Sequence, residues 1–108
     1  LRYDNERKGV SGMGQVHMKG CTIQILEAQG PSWDYEIAKQ VIEDCDMEDN
    51  PRNRGTVRLW LVEYTANGLL ETVEDAVDDG TYFGKDKLLC RYQVTEFGRQ
   101  RMKELGLL

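Results

Sequence analysis

The sequence has few of the residues that build metal centres, disulfide frameworks and nucleophilic active sites. Among its 108 residues are one histidine, His17, and three widely spaced cysteines, Cys21, Cys45 and Cys90, with no Cys-x-x-Cys pair. An odd number of scattered cysteines argues against a disulfide framework, and a single histidine argues against a zinc site. We therefore expect no metal and no cofactor. The cysteines are interpreted as buried thiols, with redox sensing as the weaker alternative.

Long apolar runs and common catalytic motifs are also missing. The sequence has no stretch of about 18 apolar residues and no charged-then-apolar leader, so we expect a cytoplasmic protein without a membrane span. It has no glycine-rich phosphate loop, no Gly-x-Ser-x-Gly elbow and no histidine placed to serve a nucleophile. Its many carboxylate pairs lie in acidic loops, where they usually face solvent. We therefore expect that the chain is not an enzyme.

Acidic charge is abundant, and it is segregated along the chain. The formal net charge is −5, from 19 acidic and 14 basic residues. Acidic residues gather in residues 43–49 and 71–79, whereas Arg52, Arg54 and Arg58 lie together with no acid between them. Clustered arginines favour contact with phosphates, although the net charge of the chain opposes it.

The apolar pattern predicts three helices followed by two strands and a last helix. The helices are predicted over about residues 16–28, 34–45 and 54–67, and the strands over residues 69–74 and 88–94. Asn53 is the expected N-cap of the third helix, and Thr95 is the expected N-cap of the last.

This order of elements predicts an α+β domain over residues 16–108, preceded by a flexible segment of residues 1–15. Two short helices with a hairpin after the second are the plan of a winged helix-turn-helix. We therefore expect a three-helix core, a two-stranded β wing and a short C-terminal helix.

Three stretches of sequence carry a family resemblance. They are Gly30-Pro31 followed by Tyr35-Glu36-Ile37-Ala38-Lys39, then Arg54-Gly55-Thr56-Val57 leading to Asn67-Gly68-Leu69-Leu70-Glu71, and finally Tyr92-Gln93-Val94-Thr95-Glu96-Phe97-Gly98-Arg99. In this order and spacing, over residues 16–105, they resemble the PadR family of transcriptional regulators and, more loosely, the MarR family. Residues 43–52 depart from the family pattern, because that loop is longer and more acidic than usual. The last helix is also shorter than the family's dimerisation helix.

The resemblance implies a sequence-specific, repressor-like transcriptional regulator that binds double-stranded DNA with its third helix in the major groove. It also implies a homodimer. The contact could come from the first helix with the N-terminal segment, or from the short last helix through Phe97, Met102, Leu105, Leu107 and Leu108. Members of these families can respond to small molecules, but the sequence does not indicate an effector.

The expected DNA contacts lie at the start of the third helix and in the distal half of the wing. Arginine suits guanine, asparagine suits adenine, and threonine suits a phosphate or a thymine methyl group. The acidic residues of the wing would repel phosphates, and Tyr82 and Phe83 at its tip are expected to pack back on the domain. The expected DNA-binding residues are Arg52, Asn53, Arg54, Thr56, Arg58, Lys85, Lys87 and Arg91.

A second hypothesis follows from the acidic balance of the chain. A winged-helix fold does not by itself imply DNA binding. The chain could instead be a protein–protein interaction module that does not bind DNA, in which the acidic loops rather than the arginines carry the function.

Overall fold

A computed structural model describes residues 11–108, with side chains from Lys19 onward. This part of the chain is an α+β domain of four helices and a three-stranded antiparallel sheet. The elements are α1 (Ser11–Gln29), β1 (Ser32–Trp33), α2 (Asp34–Asp44), α3 (Pro51–Ala66), β2 (Leu70–Val77), β3 (Leu88–Val94) and α4 (Glu96–Glu104). The α+β class is thus confirmed, and the order of elements is compatible with the expected winged helix.

The sheet has one more strand than the sequence predicts. Its order is β1-β3-β2, so β3 is central and is flanked by an antiparallel strand on each side. In β1, Ser32 pairs with Tyr92 and Trp33 pairs with Arg91. A two-residue strand is too short to show an alternating pattern, which is why the two-stranded expectation was incomplete.

Helix α3 begins earlier than predicted and has a different cap. Asn50 is the N-cap, and its side-chain oxygen accepts a hydrogen bond from the backbone N–H of Asn53 at 2.8 Å. Pro51 occupies the first turn, where its missing N–H costs nothing. The prediction of Asn53 as the cap is wrong, because Asn53 lies inside the first turn and donates its N–H to the true cap.

The outer boundaries of the other elements also shift. Helix α1 begins at Ser11 rather than near residue 16, and residues 1–10 of the expected flexible segment lie outside the described residues. Strand β2 continues to Val77, beyond the predicted end at Glu74. None of the helices in the described part of the chain has the length and apolarity needed to cross a bilayer.

The core lies between the three long helices and the inner face of the sheet. Its buried members are Ile23, Leu26, Ile37, Ala38, Val41, Val57, Trp60, Leu61, Leu70, Tyr92, Val94 and Met102. Helix α4 packs so closely that a Cβ on Gly98 would overlap the carbonyl oxygen of Leu69. Glycine is therefore required at this position because backbone meets backbone, with no room for a side chain.

Candidate functional site

The loop of residues 78–87 joins β2 to β3 and is organised around one buried carboxylate. Asp78 Oδ1 accepts hydrogen bonds from the N–H groups of Gly80 at 2.8 Å and Tyr82 at 3.3 Å. Its Oδ2 accepts from Phe83 at 2.6 Å and Gly84 at 3.0 Å. Burial raises the pKa of Asp78, but the four amides outweigh burial and lower it to about 2. The loop therefore has a defined shape at neutral pH.

This loop folds back onto the first turns of α2 and α3. The ring of Tyr82 stacks on Tyr35 in α2, with the ring centroids 3.7 Å apart. The Arg58 guanidinium of α3 lies 4.4 Å from the centre of the Phe83 ring, a cation–π contact. Both aromatic side chains thus pack against the domain, as the sequence analysis expected.

The two arginines expected to read DNA bases connect α3 to the hairpin instead. Arg54 Nη1 donates to the carbonyl oxygen of Tyr82 at 3.1 Å, and its Nε lies 3.0 Å from Asp49 Oδ1 in an ion pair. Arg58 Nη2 donates to the carbonyl oxygen of Leu88 at 3.1 Å. Base reading by either arginine would require these contacts to be exchanged for contacts with DNA.

The neighbouring polar residues of α3 also have partners within the chain. Asn53 Nδ2 donates to the carbonyl oxygen of Glu48 at 2.7 Å. This bond holds the acidic loop between α2 and α3 against the first turn of α3. Thr56 Oγ1 donates to the carbonyl oxygen of Arg52 at 3.0 Å, one turn earlier. Each of the four side chains, on Asn53, Arg54, Thr56 and Arg58, therefore makes one hydrogen bond within the chain.

The remaining expected contacts fall into two groups. Arg91 on β3 lies 3.6 Å from the carboxylate of Glu74, the residue opposite it on β2. Arg52, Lys85 and Lys87 are exposed to solvent. Of the six basic residues among the expected contacts, three are therefore exposed.

The exposed side of α3 is apolar. Leu59 and Val62, one turn apart, are 57% and 55% exposed, and Gly55 at the preceding turn has open space beside it. Across from α3, Val77 and Leu88 are opposite each other at the distal end of the hairpin and are 68% and 55% exposed. We call Leu59, Val62, Val77 and Leu88 the apolar face.

A cavity of about 310 Å³ connects the helix side and the hairpin side of the apolar face. Leu59, Val62 and Leu88 are among the residues that line it. This surface was not among the expected binding residues, which were all polar or charged. The spacing of Leu59 and Val62 was a signal, since it marks a second apolar strip on the same helix.

A buried carboxylate lies under the cavity. Asp34 is 3% exposed, and its Oδ2 accepts the N–H of Cys90 at 3.1 Å. Its Oδ1 has no hydrogen-bond partner within the described part of the chain. Burial raises the pKa of Asp34, while the Cys90 N–H and the positive charge of Arg58 oppose that rise. Arg58 therefore acts as an electrostatic partner of a buried acid as well as a link to the hairpin.

The described residues contain no group of three or more His, Cys, Asp and Glu side chains that could hold a metal ion. No family model matches the sequence, and no curated protein matches it. The resemblance to the PadR and MarR families therefore stays a prediction.

Proposed function

We propose that this chain is a winged helix-turn-helix domain that binds a partner protein through the apolar face. The order of the four helices, with β1 pairing on β3 and a hairpin after α3, supports the winged-helix assignment. The hairpin is then the wing, and α3 is the helix that such domains present to their target.

The exposure of the apolar face is the observation that carries this proposal. Its four aliphatic side chains are each more than half exposed, and the cavity joins Leu59 and Val62 on α3 to Leu88 on the hairpin. Contiguous exposed apolar surface commonly marks an interaction site. Full burial of such a side chain is worth about 1.5–3 kcal/mol. Each of the four is already partly buried, so covering the rest of it should contribute roughly 1 kcal/mol to the free energy of binding.

The charges around the apolar face favour a protein over duplex DNA. Arg54 and Arg58 are held by contacts within the chain, while Glu74, Asp75 and Asp79 on the wing are exposed. A phosphate backbone approaching the wing would meet these carboxylates. An apolar protein surface with a basic rim would not be repelled.

The test compares capture of cellular proteins by the wild type and by Leu59→Glu combined with Val62→Glu. Leu105→Glu is the matched control, since Leu105 is 59% exposed but lies beyond α4. We expect at least one protein to bind the wild type and the control but not the double variant. After purification, that protein should bind the double variant at least about tenfold more weakly in calorimetry, a loss of about 1.4 kcal/mol. Equal affinities would contradict the proposal.

DNA binding, the function that the resemblance implies, is the second candidate. It is favoured by three exposed cations, Arg52 on α3 and Lys85 and Lys87 on the loop of the hairpin. The hydrogen bond from Arg54 to Tyr82 holds that loop beside the first turn of α3, so the loop that carries the two lysines lies near the helix end that carries Arg52. A DNA reader should bind heterogeneous duplex with an affinity that falls steeply as salt rises. Replacing all three cations with alanine should reduce that slope. No binding at low salt would exclude this candidate.

A further inference from the structure

One oxygen of the Asp34 carboxylate is left without a hydrogen bond inside the domain. Oδ2 accepts the N–H of Cys90 at 3.1 Å, whereas Oδ1 has no hydrogen-bond partner among the residues that the structure describes. Asp34 is 3% exposed, so bulk solvent hardly reaches this oxygen. A buried polar atom without a partner is unfavourable, and such atoms are uncommon in folded proteins. Oδ1 therefore stands to gain from a hydrogen-bond donor that comes from outside the domain.

The cavity between α3 and the hairpin gives such a donor a route to the carboxylate. Asp34 is one of its lining residues, and Gly55 of α3 is another, with open space where a Cβ would lie. Leu59, Val62 and Leu88 are the lining residues that are more than half exposed. The volume of about 310 Å³ is at the small end of the range of ligand pockets, about 300–1,000 Å³. A group that fills the cavity would therefore contact apolar side chains and a buried carboxylate together.

The polar groups of the cavity favour a single neutral donor. Arg58 also lines the cavity, and its positive charge already acts on Asp34. A lysine or arginine side chain from outside would be repelled by Arg58 and would bring several donors to one free acceptor. Hydroxyl and amide side chains bring an acceptor as well as a donor, so they would need a second partner. Tryptophan combines a large apolar ring with one donor and no acceptor, which matches the cavity.

We infer that a tryptophan of the partner protein inserts its ring into this cavity and donates its indole N–H to Asp34 Oδ1. The inference rests on the proposed function, since the cavity is part of the surface to which the partner is proposed to bind. Val77 is 68% exposed and lies opposite Leu88, but it does not line the cavity. A free indole compound would leave Val77 uncovered, whereas a protein segment that carries the ring can cover it. Tryptophan is also enriched among the residues that dominate the energetics of protein interfaces.

The first test needs no partner and uses two small probes. They are N-acetyl-tryptophanamide and the matching amide of benzothienylalanine, in which sulfur replaces the indole N–H and the ring keeps its shape. In NMR titrations of the isotope-labelled full chain, the tryptophan probe should shift the amide signals of Gly55, Leu88 and Cys90. It should bind at least about fivefold more tightly than the benzothienyl probe, because only it donates to the carboxylate. Equal affinities, or shifts confined to other parts of the domain, would overturn the inference.

Two variants alter the cavity in different ways. Asp34→Asn keeps an oxygen for the Cys90 N–H and places an NH2 group where Oδ1 was, so the tryptophan probe should lose its advantage over the benzothienyl probe. Gly55→Leu leaves Asp34 unchanged and places a side chain in the open space beside α3, so both probes should bind more weakly. This second variant keeps the test decisive if Asp34→Asn does not fold. Leu105→Glu, beyond α4, is the control and should bind both probes as the wild type does. An unchanged advantage in Asp34→Asn would contradict the inference.

The partner protein provides the second test. In a purified partner whose binding depends on Leu59 and Val62, the tryptophans are replaced with phenylalanine one at a time. One replacement should weaken binding to the wild type at least about fivefold and should have little effect on binding to Asp34→Asn, where the bond is already absent. If Asp34→Asn and Gly55→Leu both bind this partner as tightly as the wild type does, the tryptophan inference fails although the proposed function stands.

Discussion

Replacing Arg58 with alanine tests whether this residue has a structural role. The substitution removes three interactions: the hydrogen bond to Leu88, the cation–π contact with Phe83 and the positive charge near Asp34. A hydrogen bond from a charged group is worth about 1.5–3 kcal/mol, and an exposed cation–π contact about 0.5–1 kcal/mol. Because the guanidinium is partly exposed to solvent, we expect a loss of about 2–3 kcal/mol in the free energy of unfolding.

The assay is equilibrium unfolding in urea, and Arg52→Ala is the matched control. Arg52 lies on the same helix but is exposed, so its replacement should change the free energy of unfolding by less than about 0.5 kcal/mol. A change equally small for Arg58→Ala would refute the structural role. The variant would then be a clean test of base reading by this arginine.

The pH dependence of the free energy of unfolding of Arg58→Ala isolates the electrostatic interaction between Arg58 and Asp34. The positive charge of Arg58 offsets the burial of ionised Asp34, and the substitution removes that charge. Asp34 is protonated at low pH, so the destabilisation by Arg58→Ala should be larger at pH 7 than at pH 4. In the Asp34→Asn background this difference should disappear. A destabilisation that does not vary with pH would show that the pair is not coupled.

Three further predictions concern single buried positions. The pKa of Asp34 is raised, so its contribution to stability is present at low pH and is lost as the pH rises through the raised pKa; Asp34→Asn should remove that loss in urea titrations between pH 4 and 8. The pKa of Asp78 is lowered to about 2, so the loop of residues 78–87 should keep its hydrogen-exchange protection above about pH 4 and lose it towards pH 2, whereas Asp78→Asn should show no such step. Gly98→Ala should lower the free energy of unfolding by about 1–3 kcal/mol, because the added Cβ would meet the backbone of Leu69. Gly55→Ala has open space beside it and should stabilise α3 by up to about 1 kcal/mol. Similar urea midpoints for these two variants would contradict the close packing of α4.

Local signals in the sequence were sufficient to predict most of the fold. The last helix begins after Thr95, whose Oγ1 accepts the N–H of Gly98 at 2.8 Å, as its position before an apolar run predicted. Helix α3 ends at Ala66, close to the predicted end at residue 67, and Gly68 then adopts a left-handed conformation with φ of 82°. Where two local signals competed, the prediction failed. Asn50 and Asn53 are both good caps, and Pro51, which lies between them, is compatible with the first turn of a helix.

The candidate site shows what only the tertiary structure decided. The sequence by itself determined that α3 carries Arg54, Arg58 and two apolar strips, because helical periodicity depends on neighbours three and four residues apart. It did not determine that Arg54 and Arg58 bind carbonyl oxygens 28 and 30 residues further along the chain. Those contacts exist because the hairpin of β2 and β3 folds back against α3, which engages the arginines and leaves Leu59 and Val62 exposed. Which side of a helix is free for a partner depends on what packs beside it, and no local pattern records that.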